Sequence, residues 1–152
     1  MTYWGFDGRA HTGEMVVSAR VAADVVMVFH RLYDGRWPIR SMRLVDDFGG
    51  SDDASMAADN TSGFNCRPIT GGTSWSEHSY GEAIDLDPLE NPYISGSTVE
   101  PPGAATYLDR PQLPGVIHPG DLAVTAFAAI GWTWGGTWTS PRDLQHFSLS
   151  GR

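Results

Sequence analysis

The stretch Trp75-Ser-Glu-His-Ser-Tyr-Gly-Glu-Ala-Ile-Asp-Leu-Asp-Pro88 decides how this chain is read. It crowds a histidine, a turn glycine and two aspartates between a glycine-rich run and a proline-rich one. Ser79-Tyr80-Gly81 reads as a turn. Glu82 to Asp87 then alternates as a strand does, with Ala83, Asp85 and Asp87 on one side and Glu82, Ile84 and Leu86 on the other. A histidine just before a turn and an aspartate on the outgoing strand can converge on one point, so His78 and Asp85 are candidate metal ligands. Turn-flanking His and Asp also serve simply to cap backbone groups. Ser76 raises a third reading, a Ser-His-Asp cluster. That reading is poor: there is no G-x-S-x-G elbow, and one intervening residue does not give Ser76 and His78 the geometry of a triad.

Upstream, Ser18 to Asp34 reads as a helix, with Val21, Val25, Phe29 and Leu32 at spacings of four, four and three, Ser18 as candidate N-cap and Gly35 as the stop. Pro38 to Val45 reads as a strand opened by proline. Asp46 to Gly63 is acidic and rich in Gly, Ser and Asn, which predicts a loop, and Phe64 to Arg67 a short returning strand. Downstream, Pro88 to Pro119 holds seven of the ten prolines and reads as a long irregular excursion, a kind of loop that is usually functional or mobile. A second helix is expected from Pro119 to Ile130, with Leu122, Ala126, Phe127 and Ile130 inward and Gly131 at its end. In the tail, His146 and Ser148 oppose Phe147 and Leu149 on a short strand. Separate helices and short strands without β-α-β alternation predict an α+β fold, and the length predicts one domain over residues 1–152.

Composition narrows the function. A net charge of -8, with ten arginines and no lysine, argues against nucleic-acid binding, which relies on clustered cations. No apolar run approaches the roughly 18 residues of a membrane span, and the start lacks the basic-then-apolar pattern of a signal peptide. The single Cys66 has no partner for an intramolecular disulfide.

A catalytic zinc takes three N or O protein ligands and leaves one position open. The C-terminal Asp-Leu-Gln-His supplies a third candidate, His146. Asp143, three residues earlier, would lie near the metal without binding it, where a general base belongs. His11, His30 and His118 are not read as ligands: His30 falls inside the first helix pattern, His118 just precedes the second, and neither has an acid at a useful spacing that also suits its element. On spacing alone, a metal centre and a capped turn both stay open.

The residues carry a resemblance that bears on that choice. Ser76-x-His78-x-x-Gly81-x-Ala83-x-Asp85 resembles the first metal motif of the zinc peptidases of the D-Ala-D-Ala carboxypeptidase family, which includes VanY-like carboxypeptidases, D-Ala-D-Ala dipeptidases and phage L-Ala-D-Glu endopeptidases. Cys66-Arg-Pro-Ile-Thr-Gly-Gly72, Asn91-Pro-Tyr93, and the ending Gly131-Trp-x-Trp-Gly-Gly-x-Trp138 with Asp143-Leu-Gln-His-Phe147 are similar to its cell-wall-lytic, endolysin-type branch. The resemblance runs from about Pro38 to the C-terminus and rests on two separated motifs in the right order.

The resemblance implies one Zn2+ per chain, held by His78, Asp85 and His146 at a short antiparallel sheet flanked by helices, as in hedgehog-like domains. It implies Asp143 as the catalytic acid/base and an arginine beside the metal to stabilise the oxyanion: Arg67, with Arg40 and Arg43 as alternatives. Gln145 stands where relatives often have Met. Tyr80, Ser76 and Trp138 are the expected substrate-binding residues, with Ser76 chiefly holding the turn, while most of the tryptophans close the core. The implied partner is a peptidoglycan stem peptide, with no nucleic acid and no membrane insertion, and the chain is expected to be a monomer. The implied setting is the bacterial cell wall, reached as a phage lysin released from the cytoplasm or as part of a larger protein. A non-catalytic zinc-stabilised wall-binding module and a free-dipeptide hydrolase are the competing readings. Whether Pro88–Pro119 closes one end of the groove separates carboxypeptidase from endopeptidase. The segment Asp46–Asp59 is longer than a minimal domain of this kind needs; a solvated loop is expected there, with calcium binding as the alternative.

Overall fold

The computed structural model describes residues 1–151. Two antiparallel strands open the chain, β1 (Thr2–Gly5) and β2 (Ala10–Thr12). Helix α1 (Ala22–Asp34) packs on β1 and buries Val25, Val28, Phe29 and Leu32, the face that the spacing predicts. It ends at Gly35 as expected but starts later than expected. Val21, not Ser18, precedes its first turn; Ser18 instead opens a separate turn, its carbonyl accepting from the Val21 N–H at 3.0 Å while its own N–H donates to the carbonyl of Gly81 at 2.9 Å.

Pro38–Val45 is not one strand. β3 (Pro38–Ile39) runs parallel to β1, and β4 (Ser41–Met42) joins a different sheet. Between them the Arg40 N–H donates to the Asp87 carboxylate at 3.0 Å instead of to a ladder carbonyl. The acidic segment is not a loop either. A 3₁₀ turn (Val45–Phe48) leads to helix α2 (Asp52–Ala57) and to β5 (Asn60–Thr61), which pairs parallel with β4. Ser51 caps α2 by accepting from the Ala54 N–H at 3.2 Å, and Asp52 and Asp53 lie in its first turn, where negative charge suits the helix dipole. Phe64–Arg67 forms no strand. Its N–H groups go to scattered acceptors: Phe64 to Val16 O, Asn65 to His78 O and Arg67 to Asn65 O.

β6 (Ala83–Asp85) follows the central motif. The Pro88–Pro119 excursion contains a hairpin, β7 (Tyr93–Ser95) with β8 (Thr98–Glu100), and a 3₁₀ turn over Pro102–Tyr107. Helix α3 (Leu122–Ala128) is shorter than the expected Pro119–Ile130, since Asp121 caps it through the Val124 N–H; Ala123, Ala126 and Phe127 are buried. The chain ends through β9 (Thr133–Trp134), β10 (Arg142–Asp143) and β11 (His146–Ser148).

β11 is the centre of an antiparallel sheet β6-β11-β9, and β10 lies at the edge of a second, β10-β7-β8. Alternation along β11 separates core from chemistry. Phe147 faces the core and stacks on Phe127, centroids 4.0 Å apart, with Phe29 and Trp132 packed around that pair. Its neighbours His146 and Ser148 face the other way, opposite Asp85 and Ala83. The architecture is the α+β one expected, short antiparallel sheets flanked by helices, with a candidate metal-binding cluster on the central sheet.

Candidate metal centre

Ser76 starts a 3₁₀ turn (Glu77–Tyr80) by accepting from the backbone N–H of His78 at 3.3 Å, and Gly81 ends it. Gly81 has φ +66°, and a Cβ there would stand 2.5 Å from the backbone N of Ser18. Only glycine fits both demands. The turn holds His78 inside the protein, and β6 then carries Asp85 to a position directly across from His146 on β11. Residues opposed in this way share a face with their side chains close.

The three side chains meet. His78 Nε2 lies 3.2 Å from Asp85 Oδ2 and 3.2 Å from His146 Nδ1, and His146 Nδ1 lies 3.2 Å from Asp85 Oδ1. All three residues are buried. His78 Nδ1 is 2.7 Å from the Gly63 carbonyl. A carbonyl can only accept, so Nδ1 carries the proton and the Nε2 lone pair points into the cluster, the outer-sphere arrangement usual for a metal-binding imidazole. Two imidazole lone pairs and a carboxylate facing one another at this range repel unless a proton or cation stands between them. Donors ~2.0–2.1 Å from a tetrahedral zinc lie ~3.3 Å apart, close to the separations here. The donor set therefore fits a metal ion, and it is the cluster among the described residues that could hold one. In the metal-free cluster, where a proton takes the cation's place, burial works against the charge on Asp85, but the charge and hydrogen-bond interactions with His78 and His146 outweigh it and hold the carboxyl below the ordinary range.

Asp143 reaches the site from another element. β10 pairs with β7, Asp143 opposite Tyr93, and the Asp143 carbonyl packs against Gly135, where a Cβ would stand 2.6 Å away. Its Oδ1 is enclosed and has no hydrogen-bond partner. Burial pushes the carboxyl up to about 7; His146 pulls it down, the charge on Asp85 adds to the rise, and His78 and Arg67 pull down. Ser76, His78, Asp143, His146, Trp138 and Arg67 all line one groove of about 870 Å³. Trp138 leans over His146, ring centroids 5.4 Å apart.

The remaining site expectations fall out unevenly. Tyr80 is 56% exposed and is not among the groove's lining residues. The 3₁₀ turn that points His78 inward points Tyr80, two residues on, outward. The Ser76 hydroxyl serves the turn's backbone, so nothing joins it to an imidazole in the manner of a triad. Arg40 and Arg43 are committed elsewhere: Arg40 lies by Asp59 and Glu90 over the Phe6 ring, and Arg43 pairs with Asp47. Asp87 points away from the cluster and accepts from the Arg40 N–H. Trp132 and Trp134 close the core, the Trp134 N–H donating to Leu144 O.

Sequence reasoning missed the groove's opposite lip. Pro68 and Trp75 bridge across a small hairpin that carries Ile69 and Trp75 along the groove, 46% and 58% exposed. The Gly71-Gly72 turn was the signal for that hairpin. Of the Pro88–Pro119 excursion, Tyr93 and Ser95 line the groove.

A family model described as D-alanyl-D-alanine carboxypeptidase matches residues 70–149, just over half of the chain, and takes in the turn, β6, β10 and β11. No curated protein and no solved structure matches the chain. Family members are metal-dependent peptidases acting on D-Ala-D-Ala-type cell-wall peptides, and the His-Asp-His cluster could bind the metal that such chemistry requires. The chain belongs to the D-alanyl-D-alanine carboxypeptidase family.

Proposed function

We propose that this protein is a zinc-dependent peptidase that hydrolyses peptide bonds in the stem peptides of bacterial peptidoglycan, in a lytic role of the endolysin type. One observation carries the reading: a buried cluster of three metal donors, two of which line a groove, sits beside an unpartnered carboxylate in that groove whose proton affinity is raised to near neutrality.

His78 Nε2, Asp85 and His146 Nδ1 would hold the metal. A zinc ion bound there would supply Lewis acidity, which brings the pKa of a bound water toward ~7 from ~15.7 in bulk. Asp143 takes the proton from the attacking water and later returns it to the departing amine, an exchange to which a carboxyl whose proton affinity is raised by burial is suited. The Arg67 guanidinium opposes the negative charge that grows on the scissile carbonyl oxygen, a contact of a kind worth roughly 2.7–4 kcal/mol. Trp138, Tyr93 and the Ile69–Trp75 lip give the stem peptide apolar walls to lie against.

Purified peptidoglycan digested with zinc-loaded and with chelator-treated protein tests this. Chelator-sensitive release of peptide fragments is expected, and the new termini, read by mass spectrometry, name the bond and separate endopeptidase from carboxypeptidase. Absence of products from every wall type would leave the non-catalytic binding module as the reading.

A further inference from the structure

The acidic segment expected to be a solvated loop instead delivers one carboxylate to Arg67, which lines the groove. Asp52, in the first turn of α2, places Oδ2 2.8 Å from Arg67 Nε, and the two side chains are only 20% and 23% exposed. The pair is in ionic contact, though the Nε–H is not aligned for a hydrogen bond. Asp52 is itself fixed: its Oδ1 accepts from Asn65 Nδ2 at 2.8 Å, and the Asn65 N–H donates to the His78 carbonyl at 3.1 Å.

Arg67 is tethered at both ends. Its backbone is bound to the histidine's turn, the N–H donating to Ser79 Oγ at 3.0 Å and the carbonyl accepting from the Ser79 hydroxyl at 2.8 Å and from the Ser76 N–H at 3.1 Å. Its guanidinium would otherwise be free to swing on a flexible stem across a groove it shares with His78, Asp143 and His146. Asp52 contacts it at Nε, and Nη1 makes one long bond to Pro68 O at 3.3 Å.

We propose that Asp52 is a positioning residue, which locks the Arg67 guanidinium over the metal cluster so that it meets the charge developing on the substrate, and that delivering this carboxylate is the purpose of α2. The proposal rests on the peptidase reading of the site. A charge held in place before reaction stabilises a transition state more than one that must first be ordered, so the loss on releasing it should fall on kcat.

The test is steady-state hydrolysis of a stem peptide by the zinc-loaded full chain carrying Asp52→Asn, Asp52→Glu, Arg67→Ala, or Asp52→Asn with Arg67→Ala. Asn keeps an acceptor for Asn65 Nδ2 and leaves the Ser51 cap intact, so zinc content should stay at the wild-type value and the loss of one charge from the first turn of α2 should lower the melting temperature by no more than a few degrees. The kcat of Asp52→Asn should fall about 10–100-fold with KM within about twofold, by analogy with outer-sphere substitutions at metal sites. Asp52→Glu should recover part of that loss. The double variant should be no slower than Arg67→Ala alone, because Asp52 acts only through that arginine. A wild-type kcat in Asp52→Asn, or a double variant slower by the product of the two single losses, overturns the proposal while leaving the peptidase reading intact. A zinc-loaded wild type that cleaves no stem peptide overturns the peptidase reading, and the proposal with it.

Discussion

Asp85 and His146 stand directly opposite each other across the antiparallel β6–β11 pair, with 3.2 Å between Oδ1 and Nδ1. The register of two three-residue strands thus sets the candidate metal centre. A slip of one residue would set Phe147 against Asp85 and turn His146 into the core, so core packing and metal geometry enforce the same pairing. His146→Ala and Asp85→Ala should therefore each fold but lose the metal. Zinc content is expected to fall from about one per chain to a small fraction, and added zinc should no longer raise the melting temperature as it is expected to for the wild type. A variant that still gains thermal stability from zinc would place the metal elsewhere.

Asp143 makes no contact with the cluster that would require it for metal binding, yet its enclosed Oδ1 has no hydrogen-bond partner and its carboxyl is raised to about 7. Asp143→Asn keeps the shape and removes the base. Zinc affinity should stay within a few-fold of wild type, while turnover of a stem peptide drops by roughly 10²–10⁴. Zinc competition titration and single-turnover kinetics on one preparation check both halves. Lost zinc would mean that Asp143 is a ligand rather than a base.

A second buried group of acids predicts how stability depends on pH. Glu90 is 3% exposed, its Oε2 enclosed without a hydrogen-bond partner, beside Asp59, Arg40 and Tyr107. Burial pushes its carboxyl from 4.5 to about 7, the charge and hydrogen bonding of Asp59 add to the rise, and Arg40 opposes it. A folded-state value above the unfolded one means that the folded protein holds the extra proton. The stabilisation is complete below about 4.5 and is lost as pH rises through about 7. Asp87, raised in the same direction by burial and by Asp59 and Glu90, adds to this slope. Urea unfolding between pH 5 and pH 8 should show wild-type stability falling, and Glu90→Gln should flatten the fall without abolishing it. Parallel curves for the two proteins would show that Glu90 titrates normally.

How much of this was legible in the sequence depended on the range of the interaction involved. The convergence of His78, Asp85 and His146 could be read because a turn, a strand and a period of two fix side-chain direction locally, and a second motif supplied the third donor. The inward face of α1 was readable for the same reason. The strand expected over Pro38–Val45 was not, since its interruption at Arg40 comes from Asp87, far along the chain. The error over Asp46–Gly63 was of another kind. Its acidic composition suggests a loop, while Ser51 followed by two aspartates and Ala-Ser-Met-Ala is the start signal of α2, a cap with negative charge in the first turn. Trp75 on the groove lip was hidden because only the hairpin closed by Pro68 and Trp75 brings it there.

Gly81 serves both the backbone and the site. Its φ of +66° is strained for any side chain, and a Cβ would press on the Ser18 backbone nitrogen at 2.5 Å. Gly120 has φ +82° with nothing within 4 Å of a Cβ, so Gly120→Ala carries the conformational strain alone. Backbone strain of this kind is worth roughly 1–3 kcal/mol. Gly120→Ala should lose an amount in that range in urea unfolding of the metal-free protein, and Gly81→Ala should lose clearly more, since Ser18 is backbone and cannot swing aside. Gly81→Ala should also weaken zinc binding, because the Gly81 N–H holds the carbonyl of His78 at 3.1 Å and any shift of the turn moves that imidazole. Equal losses at the two glycines, with zinc affinity unchanged, would show that the chain yields at Ser18 and that the turn does not set the position of His78.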